Sequence, residues 1–302
     1  MPNIYQNISS NKRDTVFIVF MFVVVVTLVG WFIGEYFTDS GGFSVVGLAL
    51  VISGISGLFS YYNSDKMVLT VSNAREVSYE EAPDLHNLVD NMCIASGIPK
   101  PKVYVINDSS MNAFATGRDP GHGVICLTTG IIQRLDKREL EGVIAHEMSH
   151  IGNYDTRLMS IVSILVGSVS LLADWFTRGA FYRRGRRRDS RDDSSVNGLL
   201  FLIGFVFVLL SPLISTLIKL AISRKREYLA DSTAALITRY PQGLANALRK
   251  LSQDTEVLEV ANSATAHLYI TDPIRSLSSK NVSNFFNTHP PIEERIKRLE
   301  SM

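Results

Sequence analysis

The sequence has few cysteines and few charged residues for its length of 302 residues. Its two cysteines, Cys93 and Cys126, are too few for a disulfide framework and lack the spacing of a cysteine zinc site. Charged residues make up 20% of the chain, below the roughly 25% usual for globular domains. The net charge of +1 gives no indication of a nucleic-acid partner. With 46% hydrophobic residues, this composition excludes a disordered chain and favours a membrane protein with a soluble part.

Two long uncharged runs near the N-terminus predict a transmembrane hairpin. Residues 15–34 and 43–62 contain no charged side chain, and about 20 helical residues span a hydrocarbon core of about 30 Å. Lys12 and Arg13 would suit the basic region of a signal peptide. However, the apolar run exceeds the usual roughly 7–15 residues and no cleavage site follows it. We therefore expect two spans, preceded by an N-terminal tail at 1–14.

Two further apolar segments, at 158–173 and 199–218, predict a second hairpin within 157–222. The first of them is marginally short for a span, whereas the second is long enough. The stretch between them is rich in arginine at 178–191, and we expect a solvated loop able to contact anionic lipid headgroups. If the N-terminus is cytoplasmic, a second spanning hairpin places this loop outside, against the positive-inside tendency. The sequence leaves open whether both segments cross fully.

The remaining residues, 63–156 and 223–302, predict a soluble domain made in two parts. Alternating polarity is typical of strands, and Ser or Asp followed three positions later by Glu marks the start of a helix. The predicted elements are a helix from Ser78 to about Ser96, strands at 102–106 and 123–128, an edge strand within 109–117, and a helix opened by Asp136 and Glu139.

The last of these helices contains the run His146-Glu147-Met148-Ser149-His150. Histidines four positions apart lie on one helical face, so both imidazoles can bind one metal ion. Glu147 lies beside the first histidine and can act as a general base toward a water activated by the metal. With six histidines in the chain, the chance that an H-E-x-x-H pattern arises at random is roughly 0.6%. The alternative is an amphipathic helix with two core histidines.

A zinc site of this kind needs a third protein ligand, and no histidine follows His150 closely in the sequence. Glu227 is the best distant candidate, because Asp231 lies four positions later on the same helical face. Glu227 would bind the metal, and Asp231 would orient a ligand histidine. The alternative is an ordinary acidic helix face in solvent. His146 and Glu227 can share a metal only if residues 157–226 cross the membrane an even number of times, which two spans satisfy.

The chain resembles the HtpX-type integral membrane zinc metalloproteases over nearly its whole length, and more distantly the type I CAAX prenyl proteases. The resemblance is carried by the two hydrophobic pairs and by four motifs. These motifs are Met111–Gly117 (MNAFATG), Glu141–His150 (EGVIAHEMSH), Arg226–Asp231 (REYLAD) and Thr288–Arg295 (THPPIEER). The combination of H-E-x-x-H with E-x-x-x-D is the specific part.

The resemblance implies roles for the residues in these motifs. The zinc ligands and the catalytic glutamate that it implies are His146, His150, Glu227 and Glu147. It also implies that a substrate backbone pairs along the edge strand at Asn112 and Ala113. His289 would stabilise the oxyanion, and Arg295 would pair with Asp231. Without the resemblance, Asn112 is a turn residue and His289 ends a loop.

We therefore expect an α-rich integral membrane protein with about four hydrophobic segments and an α+β, zincin-like (gluzincin) catalytic domain containing a small β-sheet. The function implied is zinc-dependent endoproteolysis of unfolded or membrane-associated proteins, in membrane protein quality control and the stress response. The chain would lie in the bacterial inner membrane, in contact with the lipid bilayer and not with nucleic acid, with its catalytic domain facing the cytoplasm. The helix that carries His146 and His150, called the metal helix below, would run directly into segment 158–173. A prenyl-peptide processing protease and a non-catalytic, metal-containing membrane adaptor remain as alternatives. A channel or transporter would need ionisable residues inside the spans, and the first, second and fourth segments contain none.

Overall fold

The structure, a computed structural model, describes residues 4–37, 43–165, 224–260, 265–271, 273 and 290–302. The helices in these residues are α1 (Ile4–Phe37), α2 (Phe43–Val71), α3 (Pro83–Ser96), α4 (Thr129–Arg134), α5 (Lys137–Gly152), α6 (155–165), α7 (Arg224–Thr238), α8 (Pro241–Gln253) and α9 (Ile292–Glu300). The strands are β1 (Arg75–Glu76), β2 (Lys102–Ile106), β3 (Ala113–Thr116) and β4 (Val124–Thr128), and short 3₁₀ turns lie at Pro120–His122 and Ala266–Leu268. The predictions for 166–173, 178–191, 199–218 and His289 lie outside the described residues.

The four strands form a small mixed sheet in the order β1-β2-β4-β3. β2 and β4 are parallel, whereas β1 and β3 pair antiparallel with their neighbours. The predicted edge strand is therefore present as β3. Because side chains alternate between the two faces of a strand, Phe114 and Cys126 pack in one cluster with Tyr269. Ala113 and Ile125 pack in the other cluster, together with the apolar face of α5.

The helix predicted to open at Ser78 begins later, at Pro83. The two capping hydrogen bonds are present, with Ser78 N–H donating to Glu81 Oε2 (3.0 Å) and Glu81 N–H donating to Ser78 Oγ (3.4 Å). They close a turn rather than a helix, because Pro83 has no backbone N–H and disfavours helical backbone at Ala82. The end at Ser96 agrees with the prediction.

The metal helix α5 ends at Gly152 and does not run directly into the next apolar segment, contrary to the prediction. Tyr154 adopts a φ of 63°, which is outside the helical range, and α6 begins after it at residue 155. Leu158 and Ile161 of α6 are at most 1% exposed. The described part of the predicted third hydrophobic segment is therefore buried in the protein core.

The two N-terminal apolar runs lie in α1 and α2, which pack against each other. The predicted tail at 1–14 is helical from Ile4 onward as part of α1. Large apolar side chains point outward from this pair, including Val16 (70% exposed), Phe20 (61%) and Leu58 (64%). None of the helices in the described part of the chain is long and apolar enough to cross a membrane.

The helix α5 lies between the sheet and the helices α7 and α8. It crosses α8 so closely that a Cβ atom on Gly142 would lie 2.7 Å from the backbone nitrogen of Leu244. Gly243 of α8 approaches the carbonyl of Arg138 in the same way. These glycines allow backbone to pack directly on backbone, and the crossing fixes α5 relative to α8.

Candidate metalloprotease site

The two histidines of α5 point their outer ring nitrogens at the same point. His146 and His150 are buried, and their rings lie perpendicular to each other with centroids 4.8 Å apart. The two Nε2 atoms are 3.2 Å apart. The four-residue spacing on one helical face therefore produces the pair of nitrogen donors that the sequence predicted.

Glu227 of α7 completes a group of three donors. Its Oε1 lies 3.5 Å from His150 Nε2, and its Oε2 lies 3.8 Å from His146 Nε2. Ligand atoms about 2.1 Å from a tetrahedral zinc ion are about 3.4 Å apart. The distances in this group match that spacing, so the residues present fit one such ion. Among the described residues, these three form the group of His, Cys, Asp or Glu able to hold a metal.

Each histidine donates a hydrogen bond from Nδ1 to a buried carboxylate. His146 Nδ1 lies 3.0 Å from Asp231 Oδ1, and His150 Nδ1 lies 3.0 Å from Asp155 Oδ2. A carboxylate on Nδ1 fixes the tautomer that leaves the Nε2 lone pair free for a metal. The hydrogen bond to Asp155 and the nearby Glu227 outweigh burial and raise the pKa of His150 to about 9. Burial dominates at His146, whose pKa is lowered.

Glu147 lies between the metal group and the edge strand β3. The residue is 2% exposed, and its carboxylate accepts a hydrogen bond from the backbone N–H of Ala115. Burial raises its pKa to about 7, and the negative charge of Glu227 adds to the shift, while His150 opposes it. A carboxylate with a pKa near neutrality can both accept and return a proton, as a general base and acid must.

Arg295 of α9 is fully buried and joins the two carboxylates of α7. Its Nε and Nη2 atoms donate to Asp231 at 2.9 and 2.7 Å, and its Nη1 lies 3.4 Å from Glu227 Oε2. Although burial alone would raise it, the Arg295 charge lowers the pKa of Asp231 to about 2. The predicted contact between Arg295 and Asp231 is thus present, and it keeps the carboxylate behind His146 ionised.

The edge-strand residues Asn112 and Ala113 contact a segment of the same chain. Ile270 N–H donates to the Ala113 carbonyl (2.9 Å), and the Asn112 side chain exchanges hydrogen bonds with the backbone of Thr271 (3.1 and 3.4 Å). The Ile270 carbonyl accepts a hydrogen bond from Arg295 (3.4 Å). Residues 270 and 271 therefore lie antiparallel to β3 along its outer edge, next to the metal group.

Residues 79–302 match the sequence profile of peptidase family M48. The chain belongs to peptidase family M48. Its relatives include the Protease HtpX homolog of Dictyoglomus thermophilum, 45% identical over 298 residues that cover 99% of this chain and 94% of that protein. The Protease HtpX homolog of Streptococcus uberis is 40% identical over 300 residues, covering 99% of this chain and 100% of that protein.

The crystal structure of S. mikatae Ste24p is also similar, with a TM-score of 0.48 and 18% sequence identity. The match covers 94% of this chain and 62% of that chain. The predicted membership of the HtpX-type proteases is confirmed by the close relatives and the family match. This M48 chain is therefore a metalloprotease with a mostly helical fold and a small mixed sheet, and His146, His150 and Glu227 could bind its metal ion.

One residue of this M48 protease's site, Asp155, was not predicted from the sequence. Its carboxylate lies 3.0 Å from Nδ1 of His150. It lies five positions after His150, beyond a turn at Asn153 and Tyr154. An acidic residue following the metal helix is a weak signal, because the sequence does not show whether the chain turns back. The other described histidines, His86, His122 and His267, lie outside the metal group.

Proposed function

We propose that this M48 protease is a zinc-dependent endopeptidase of the bacterial inner membrane that cleaves unfolded or membrane-associated polypeptides in protein quality control. The observation that carries the proposal is the buried group of His146, His150 and Glu227 with the Glu147 carboxylate beside it. Two imidazoles and one carboxylate are the protein ligands of many catalytic zinc sites, which keep a further position open. Bound zinc would supply an activated water and would stabilise negative charge on the scissile carbonyl oxygen.

The protein's own residues would handle the protons of the reaction. Glu147 would remove a proton from the attacking water and later pass a proton to the leaving amine. Its raised pKa of about 7 suits both steps, because the carboxylate is neither a very weak nor a very strong acid near neutral pH. We also propose, from the resemblance, that His289 helps to stabilise the oxyanion.

The substrate would bind as an extended strand along the outer edge of β3. Asn112 and Ala113 present a backbone carbonyl and a side-chain amide at this edge, and both are used by Ile270 and Thr271. An antiparallel peptide making the same hydrogen bonds would take the place of these two residues. This edge supports a preference for chains that can become extended, as unfolded polypeptides can.

A membrane location is supported by the sequence and by the surface of α1 and α2. Residues 15–34 and 43–62 are uncharged, and large apolar side chains such as Phe20 and Leu58 are more than 60% exposed on this pair. An apolar surface of this kind is stable in lipid and unfavourable in water. In this proposal the chain is multi-pass and its catalytic domain faces the cytoplasm.

The test is hydrolysis of an unfolded polypeptide by the detergent-solubilised, zinc-loaded protein. The Glu147→Gln variant, prepared identically, is the matched inactive form, because glutamine keeps the size of the side chain and loses the base. Cleavage by the wild type alone is the expected result. Cleavage by both proteins would remove Glu147 from its role. Cleavage restricted to a C-terminal prenylated peptide would replace the proposed substrate class, and no cleavage with zinc bound would favour the adaptor alternative.

The third ligand has its own test in the zinc content of the purified protein. Glu227→Ala removes one of three donors, and we expect the variant to lose its zinc during dialysis that leaves the wild type loaded. Elemental analysis measures the result directly. Full zinc occupancy in Glu227→Ala would contradict the assignment of Glu227.

A further inference from the structure

The carboxylate behind His150 is held by the N-terminal helix. Asp155 is 1% exposed, and one of its oxygens lies 3.0 Å from His150 Nδ1. Its other oxygen accepts a hydrogen bond of 2.6 Å from the side-chain amide of Asn11, which belongs to α1 and is 2% exposed. A residue 144 positions away in the sequence therefore touches the group that orients a predicted metal ligand.

Two other contacts of α1 lie on the turn that precedes Asp155. The same amide of Asn11 donates to the carbonyl of Asn153 at 2.8 Å. Lys12 lies over the ring of Tyr154, 4.3 Å from its centroid, and Tyr154 has the left-handed φ of 63°. A non-glycine residue persists in that conformation only where its surroundings hold it. The α1 helix thus holds the turn between α5 and α6 as well as the carboxylate.

A second pair of charges joins α1 to the helix of the third ligand. Asp14, three positions after Asn11, forms an ion pair of 3.2 Å with Arg226. Arg226 precedes Glu227 and also lies 3.4 Å from Asp155 Oδ1. The polar face of α1 therefore contacts the supports of His150 and the helix that carries Glu227.

The two histidines of the metal group are supported in the same way. Asp231 orients His146 and is held by Arg295, whereas Asp155 orients His150 and is held by Asn11. We propose that Asp155 is a positioning residue for His150 and that Asn11 acts through it, so that the N-terminal helix forms part of the support of the metal site. This inference rests on the proposed metal site.

The measurement is the zinc dissociation constant of the full-length, detergent-solubilised protein, obtained by competition with a chromogenic chelator. Loss of a carboxylate that orients a ligand histidine weakens metal binding about 10- to 100-fold. We expect this loss for Asp155→Ala and a smaller one for Asp155→Asn, which keeps an oxygen acceptor for His150. Asn11→Ala is expected to weaken binding by about 3- to 10-fold, because Asp155 remains but is less firmly held.

The double variant Asn11→Ala with Asp155→Ala separates this mechanism from a general loss of structure. If Asn11 acts through Asp155, the double variant binds zinc as Asp155→Ala alone does, because coupled residues are not additive. Asn63→Ala is the matched control, since within the described part of the chain the Asn63 amide donates to the Phe59 carbonyl of its own helix at 3.1 Å. Its zinc affinity should equal that of the wild type. Thermal unfolding of the zinc-free variants identifies any that do not fold, in which case Asp155→Asn and Asn11→Ala carry the test.

Three results would overturn the inference. They are an unchanged zinc affinity in Asp155→Ala, an unchanged affinity in Asn11→Ala, and full additivity in the double variant. Zinc binding is measured without a peptide substrate, so the result is independent of activity. A protein that binds zinc and cleaves nothing would refute the proposed function and leave this inference standing, whereas a wild type that takes up no zinc would refute both.

Discussion

The catalytic domain buries charged side chains, whereas the described polar side chains buried on α1 and α2 are neutral. In the catalytic domain, apolar residues form the core, and the charged groups of the site, such as Glu147 and Arg295, are buried among them. On α1 and α2, Phe20 and Leu58 face outward although Ile18 and Phe22 are buried, and the buried polar side chain of Asn11 carries no charge. The domain thus gains stability by removing apolar surface from water, and the pair presents that surface to its surroundings. Because burying ionised groups opposes folding, the charges inside the domain are explained by chemistry rather than by stability.

The sharpest test of this contrast is Glu147→Gln. We expect hydrolysis to fall by about 10²- to 10⁴-fold, the usual contribution of a general acid–base. We also expect the zinc-free variant to be at least as stable as the wild type at pH 8. Burial raises the pKa of Glu147 to about 7, so its ionised form is disfavoured in the folded state, and this penalty is present at high pH and fades as the pH falls.

Peptide hydrolysis and denaturant unfolding at pH 8 measure the two quantities. Glu141→Gln on the same helix is the control, since Glu141 is partly exposed and its variant should keep both activity and stability. A large loss of stability in Glu147→Gln would show that the buried carboxylate serves the fold and would break the contrast.

The next largest effect is expected from Arg295→Met. Removing a buried cation leaves the carboxylate of Asp231 without its bidentate partner, and breaking a buried ion pair in this way costs about 3–5 kcal/mol. Arg298→Met on the same helix is the control, because Arg298 pairs with Glu294 at the surface and should change stability much less. Equal free energies of unfolding for the two variants would show that buried and exposed charges contribute alike.

A pair of glycines tests the packing of the two regions directly. Gly142→Ala places a Cβ atom 2.7 Å from the backbone of Leu244 and is expected to destabilise the protein by about 1–3 kcal/mol. Gly54→Ala on α2 meets no atom of the described residues within 4 Å and is expected to change stability by less than about 0.5 kcal/mol, or to increase it. Thermal unfolding of both variants in the same detergent gives the comparison. A larger loss at Gly54 than at Gly142 would contradict the structure.

The parts of the site that depend on local spacing could be predicted from the sequence. His146 and His150 are set by the helical repeat alone, and the capping box of Asp136 and Glu139 sets where α5 begins. The strand β2 lies where its alternating pattern predicted it. Glu227 was found because the motif lacked a ligand and an E-x-x-x-D pattern offered one.

The parts that depend on how the chain turns back could not be predicted. Asp155 reaches His150 only because Tyr154 takes a left-handed conformation, for which a tyrosine gives no signal. Ile270 lies on the edge of β3 through pairing with a strand far away in sequence. The start of α3 was predicted wrongly, because the capping hydrogen bonds of Ser78 close a turn that ends before Pro83. The roles of Asn112, Ala113 and His289 stay predictions.

The position of Arg295 has a consequence for the making of the protein. The guanidinium that neutralises the carboxylates of α7 lies 149 positions after His146. At translation rates of about 5–20 residues per second, the arginine leaves the ribosome on the order of ten seconds after the first histidine. During that interval the emerging chain carries the H-E-x-x-H motif, and Asp231 once it has been made, without the guanidinium that neutralises Asp231. The order of synthesis therefore delays the assembly of a working protease until Arg295 has been made.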